Sequence, residues 1–223
     1  MAAVRVTCIR RANNSPEEEE DKLSPERSSG LVEMQSRADQ SHPLFGGALS
    51  AVLPHSAKDT SELREIPDNQ EVFVHEHTDQ SLIVELVEYQ SQVENEDAAR
   101  YHFEDIAGSN KALEPDAFEV TSVVPLSKSE LSLSDCSSAW MLTGTQCVSK
   151  FNEEARNSVT LHLGLFRLPQ FSTDVLITFN DPQRISPDSS SAASAETHRQ
   201  PWTVQDFQHL LQTLTLHNPG LFG

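Results

Sequence analysis

The amino-acid sequence predicts an α+β fold, a central and mostly antiparallel β-sheet flanked by amphipathic helices in an α/β/α sandwich. Three observations carry that expectation. Val159, Leu161, Leu163 and Leu165 alternate with Thr160, His162, Gly164 and Phe166, and Val175, Ile177 and Phe179 repeat the period of two after a linker at 169–174. The two runs therefore pair as a hairpin with buried faces on one side. Val204, Phe207, Leu210, Leu211 and Leu214 instead fall on one stripe of a helix. There is no internal repeat and no alternating βαβ series, which argues against a doubly wound or barrel architecture.

Taken in order, residues 1–42 read as a disordered acidic extension. They hold a Glu-rich run at 17–20, two Ser-Pro pairs and hardly any aliphatic side chains, too little to offset the entropy of ordering. Order is expected from Pro43, where Gly46 and Gly47 permit a turn and the segment from Ala48 forms a strand closed by Pro54. A polar stretch over 58–70 ends in a turn at Pro67-Asp68-Asn69 and a short strand at 71–74. Thr78 or Asp79 then caps a helix in which Leu82, Ile83, Leu86, Val87 and Val93 recur at helical spacing, with Glu85 and Glu88 on its wet side.

Past Ala98 the period changes, and Tyr101–Ile106 and Phe118–Pro125 each read as a strand. Trp140–Leu142 leads to Gly144, after which Gln146–Phe151 offers a further strand. Residues 182–200, rich in Ser and Ala, read as a long flexible surface loop. Pro201-Trp202-Thr203 starts the C-terminal helix, with Thr203 and Asp206 spaced as a capping box. The domain is thus expected to run from 43 to 223.

Charge narrows the class of partner. The chain has 16 Lys and Arg against 34 Asp and Glu, a formal net charge of −18. Residues 1–42 hold eight acids and six bases, leaving 26 acids and 10 bases, a net −16, in residues 43–223. Such a field repels nucleic acid and anionic membrane and favours a basic protein surface. Cys8, Cys136 and Cys147 fit no zinc spacing, and reduced thiols are expected. No apolar run approaches the roughly 18 residues of a membrane span, so no direct membrane insertion is expected. A monomer is expected.

Few residues suggest chemistry. His75 and His77 share one face of a strand, and Asp79 completes a His-X-His-X-Asp cluster, but no spacing supplies the remaining ligands of a metal site. The Gly-X-Ser-X-Gly elbow of a hydrolase and the Lys and Ser or Thr of a phosphate loop are both missing. No catalytic residue, metal or cofactor is therefore expected. Asp59, Glu62, Glu65, Asp68 and Glu71 form an acidic run within thirteen residues. It reads either as a solvated loop or as a carboxylate patch suited to pairing with Arg or Lys of a partner.

Several segments together resemble a known family. LFGGALSAVLP, LREIPDNQEVFV, TDQSLIVELVE, YHFEDI, LFRLPQFSTDVLITFN and LHNPGLFG, in that order over 43–223, resemble the Mog-type Ran-binding proteins, the Ran guanine nucleotide release factor family. The resemblance implies a central antiparallel sheet flanked by helices, similar to a photosystem subunit that shares no function with it. It implies binding to the small GTPase Ran, release of its guanine nucleotide and a part in nuclear protein import, in the nucleus and cytoplasm and near the nuclear rim. The alternative it carries is delivery of a voltage-gated sodium channel to the cell surface. It places Ran-contacting acids at Asp68 and Glu71, with Asp59 as a third match.

Overall fold

The computed structural model describes residues 40–61, 64–112, 114, 116–149, 156–184 and 200–223. Ten strands and two α-helices are found among them. In chain order the strands are β1 (Ser41–Leu44), β2 (Leu49–Val52), β3 (Ala57–Asp59), β4 (Gln70–His75) and β5 (Ser81–Glu88), then β6 (Phe118–Pro125), β7 (Ser138–Ser149), β8 (Arg156–Leu168), β9 (Thr173–Arg184) and β10 (Thr215–Leu216). Helix α1 spans Asn95–Ser109 and α2 spans Val204–Thr213. The large sheet has seven strands in the order β3-β4-β5-β9-β8-β7-β6, and a small sheet has the order β1-β2-β10. Every neighbouring pair is antiparallel.

The expected hairpin sits at the centre of the large sheet. Leu165 pairs with Leu176 and Leu163 with Thr178 across β8 and β9. Both faces of these strands are buried, not one. Leu161, Leu163 and Leu165 join the core under α1, whereas Phe166, Leu168, Val175, Ile177 and Phe179 join the core shared by α2 and the small sheet. One helix thus lies on each face, and the small sheet completes the second layer.

Two glycines seat the helices. A Cβ on Gly144 in β7 would lie 2.6 Å from the Phe103 ring of α1 and 2.5 Å from the Glu119 carbonyl. A Cβ on Gly164 in β8 would lie 2.3 Å from Leu211 Cδ2 of α2. Helix α2 begins as its sequence directs. Thr203 Oγ1 accepts the Asp206 amide while Asp206 accepts the Thr203 amide, and Phe207, Leu210 and Leu211 are buried.

The structure corrects the sequence expectation in the middle of the chain. Residues 81–88 form strand β5, not a helix. Leu82 and Val84 face one core, and Ile83 and Val87 face the other side. A strand covered on both faces is apolar at nearly every position, and such a run also matches a helical stripe. Residues 101–106 lie within α1 and not in a strand. The buried side of that helix is Ala98, Ala99, His102, Phe103, Ile106 and Ala107, whose alanines and histidine give a weak apolar signal.

Smaller differences follow the same logic. Strand β7 runs unbroken through Gly144, order begins by Ser41, and the 169–174 linker is a tight turn with Ser172 in the left-handed region, leaving Thr173 and Asp174 in β9. Strand β9 also takes in 182–184 of the expected loop. The rest of that loop (185–199), the extension up to residue 39, Cys8, Glu62 and the 150–151 end of the expected strand lie outside the described residues. Cys136 and Cys147 are free. Among the described residues no helix is long and apolar enough to cross a membrane.

Polar side chains hold α1 to the sheet. Arg167, opposite Asp174 in the β8–β9 ladder, is fully buried. Its Nε donates to Asp174 Oδ1 at 3.3 Å, and its Nη atoms donate to the Gln90 and Val93 carbonyls and to Asn95 Oδ1. The guanidinium also lies 4.3 Å from the Tyr89 ring centroid. Asp174 Oδ2 meets His102 Nε2 of α1 at 3.0 Å. Removing one partner of such a network leaves the other charge buried and unanswered. Asp174→Ala is expected to destabilise the fold by about 3–5 kcal/mol, read from denaturant melts; a loss below about 1 kcal/mol, the range of an exposed pair, would contradict the account.

Candidate partner-binding site

The acidic segment folds around the β3–β4–β5 edge of the large sheet. Asp59 ends β3, is exposed, and its Oδ1 accepts the Ser61 amide at 2.7 Å. Pairing places Asp59 opposite Phe73, so Asp59, Phe73 and Glu71 share a face. Asp68 is exposed in the turn before β4, where the Gln70 amide donates to the Pro67 carbonyl at 2.9 Å. Asn69 fixes that turn to β5. Its Nδ2 donates to the Leu86 carbonyl and its own carbonyl accepts the Leu86 amide, each at 2.9 Å. Asp68 is thus presented on a braced turn, not on a loose loop. Glu65 is exposed as well.

Glu71 differs from its neighbours. It is half-buried, and its carboxylate accepts the Phe45 amide from the turn between β1 and β2. Burial raises its pKa above the usual carboxylate value, the Phe45 hydrogen bond pulls against that, and the charge of Asp59 raises it further. The structure therefore brings Asp59 and Glu71 together on one face and sets Asp68 at the head of the strand that carries Glu71.

One acid in this region was assigned wrongly from sequence. Glu85, expected on a wet helical face, is 5% exposed and pairs across the ladder with Gln70, whose Nε2 donates to it at 2.7 Å. Burial lifts its pKa to about 7; the Gln70 bond opposes this and the charge of Asp105 in α1 adds to it. The available signal was an acid inside the run LIVELV, which on a strand covered from both sides has to be buried.

The histidine cluster has a structural task. His75 Nδ1 accepts the amides of His77 and Thr78 at 2.9 and 3.1 Å, so Nε2 carries the proton and donates to the Gln200 carbonyl at 3.0 Å. Both ring nitrogens are occupied, Nδ1 in holding the β4–β5 turn and Nε2 in tying it to the segment before α2. Among the described residues no group of three His, Cys, Asp or Glu is placed to hold a metal ion. What the arrangement offers chemically is exposed carboxylate on a braced turn, the kind of group that pairs with Arg or Lys.

The chain is similar to known proteins over most of its length. A family model described as Ran-interacting Mog1 protein matches residues 42–182. Over 183 residues the chain is 64% identical to the Ran guanine nucleotide release factor of Danio rerio, covering 82% of this chain and 100% of that one. It is 52% identical to the Ran guanine nucleotide release factor of Homo sapiens, covering 81% of this chain and 95% of that one. The solved structure of the Ran-binding protein Mog1p of Saccharomyces cerevisiae matches with a TM-score of 0.61 at 24% identity, over 82% of this chain and 98% of that chain, and so shares the fold.

Glu85 makes the stability of this edge depend on pH. Its pKa in the folded chain, about 7, lies above the ordinary 4.5, so the proton it holds stabilises the fold below pH 4.5. That stabilisation is lost as pH rises toward 7. Glu85→Gln keeps an acceptor for Gln70 without the charge. The variant is expected to gain on the wild type between pH 4.5 and 8, by at most about 3 kcal/mol, in denaturant melts at the two pH values. A difference that does not change with pH would refute the assignment.

Proposed function

The chain belongs to the Ran-interacting Mog1 family, and from that premise we propose that it binds the small GTPase Ran and promotes release of the bound guanine nucleotide, in the service of nuclear protein import. The observation that carries the site is Asp68, exposed on a turn pinned to β5 by Asn69, with Asp59 and Glu71 on the adjoining strands. The family match covers residues 42–182 and the first strand begins at Ser41, which supports a Ran-binding unit that starts there. Relatives named nuclear import proteins in Schizosaccharomyces pombe and Saccharomyces cerevisiae support a place in nucleus and cytoplasm. For the other role the resemblance implies, delivery of a sodium channel, no observation adds support.

The mechanism is binding, with no bond made or broken. A GTPase holds its nucleotide by a lysine, backbone amides and Mg²⁺ around the phosphates. Carboxylates that pair with basic residues of Ran favour a conformation in which that grip is weaker. Linkage then requires the protein to bind nucleotide-poor Ran more tightly than loaded Ran, and nucleotide weakens the complex by the same factor. The acidic field of the folded part speeds the encounter.

The test is charge reversal at the exposed positions. Asp68→Lys is expected to shift stability by less than about 0.5 kcal/mol, as surface changes do. Across the interface the same change sets like charges together, and Ran affinity should fall roughly tenfold or more. Wild-type affinity should weaken with salt, since exposed charges are screened beyond about 8 Å at physiological ionic strength. Melting temperature, affinity at two salt concentrations and nucleotide release from loaded Ran measure all three. Wild-type affinity and release in a folded Asp68→Lys variant would remove the acidic turn from the Ran surface.

A further inference from the structure

We propose that Glu71 is a positioning residue, its carboxylate holding the Phe45–Gly47 turn in the shape in which that turn, with Asp59 and Asp68, meets the GTPase. The inference rests on the reading of this edge as the Ran surface and adds a new element to it.

The turn is costly in itself. Phe45 has a φ of 49°, in the left-handed region that an aromatic residue enters only under strain. Gly46 and Gly47 follow at φ 64° and 89°. Two contacts oppose the strain at Phe45. The ring packs against the core under the small sheet, and the amide donates to Glu71. That bond spans 26 residues of sequence and ties the β1–β2 connection to β4, one sheet to the other.

The glycines point outward. A Cβ at Gly46 or Gly47 would meet nothing within 4 Å, so neither is small to make room inside this chain. Gly46 is exposed, and the turn leaves an open backbone surface beside the acids. Glu71 is in the opposite situation. A half-buried carboxylate already engaged by an amide is a poorer partner for an incoming guanidinium than Asp59 or Asp68, which stand in solvent. Its neighbours supply the charge, and Glu71 supplies the shape.

Three variants of the full chain separate shape from charge. Glu71→Gln removes the charge and keeps an oxygen that accepts the Phe45 amide. Ran affinity is expected within about threefold of wild type, with the same salt dependence. Glu71→Ala removes the acceptor, and affinity should fall about tenfold while hydrogen exchange at the Phe45 amide accelerates. Gly46→Asn tests the turn itself, since asparagine tolerates the left-handed region and adds a side chain into open space. Its affinity should fall about tenfold with the melting temperature held. A loss in Glu71→Gln equal to that in Glu71→Ala would make Glu71 a charge contact and overturn the proposal, as would unchanged affinity in Gly46→Asn. Failure of the acidic surface as a whole reads differently, because Asp68→Lys would then bind Ran as the wild type does.

Discussion

Arg167 is the largest side chain fully buried among the described residues, and its charge has to be answered inside the protein. Asp174 answers it from the opposite strand of the ladder, and the carbonyls of Gln90 and Val93 with Asn95 Oδ1 accept from its Nη atoms. A buried pair of this kind adds little net stability over an apolar one but tolerates few alternatives. It requires residues 89–95 to lie where their carbonyls reach the guanidinium, and that sets where α1 starts. With His102 held by Asp174 about two turns further on, the ring of Phe103 arrives over Gly144. The helix is therefore placed by polar contacts and only then packed by apolar ones.

The second face is organised by the two ends of the described chain. Strand β2 pairs with β1 on one side and β10 on the other, and the amides of His217 and Asn218 donate to the Ala48 carbonyl. Ser50 Oγ lies 2.7 Å from His217 Nε2. This small sheet, with α2 beside it, carries the Phe45–Gly47 turn to the β3–β4 edge where Glu71 receives it. The candidate surface thus lies at a junction between layers, with Asp59 and Asp68 on the side of the large sheet and the turn on the side of the small one.

Much of this was legible in the sequence, and the parts that were not share a cause. The β8–β9 hairpin, the capped stripe of α2 and the turn at Pro67–Asn69 each have a local signature, and each was read correctly. Strand β5 and helix α1 were misread because what decides them is remote. Leu82–Val87 is apolar at every position but Glu85 since cores lie on both sides, and α1 hides its buried face in Ala98, Ala99, His102 and Ala107. The resemblance points to Asp59, Asp68 and Glu71, but composition could not distinguish the exposed Asp68 from the half-buried Glu71. That difference depends on Phe45, 26 residues away. Glu85 belongs to the same class of error, since its burial follows once β5 is known to be a strand.

Gly164 and Leu211 have a consequence for how the sequence can vary. A Cβ at 164 would overlap Leu211 Cδ2, and Leu211 is itself enclosed by the core under α2. Neither position has volume to give unless the other changes. A larger residue at 164 is admissible only with a smaller one at 211, and the effects of the two substitutions will not add. The pair therefore constitutes a single unit of inheritance spread over 47 positions of chain, and divergent relatives should exchange bulk across the helix–sheet boundary by altering both members together.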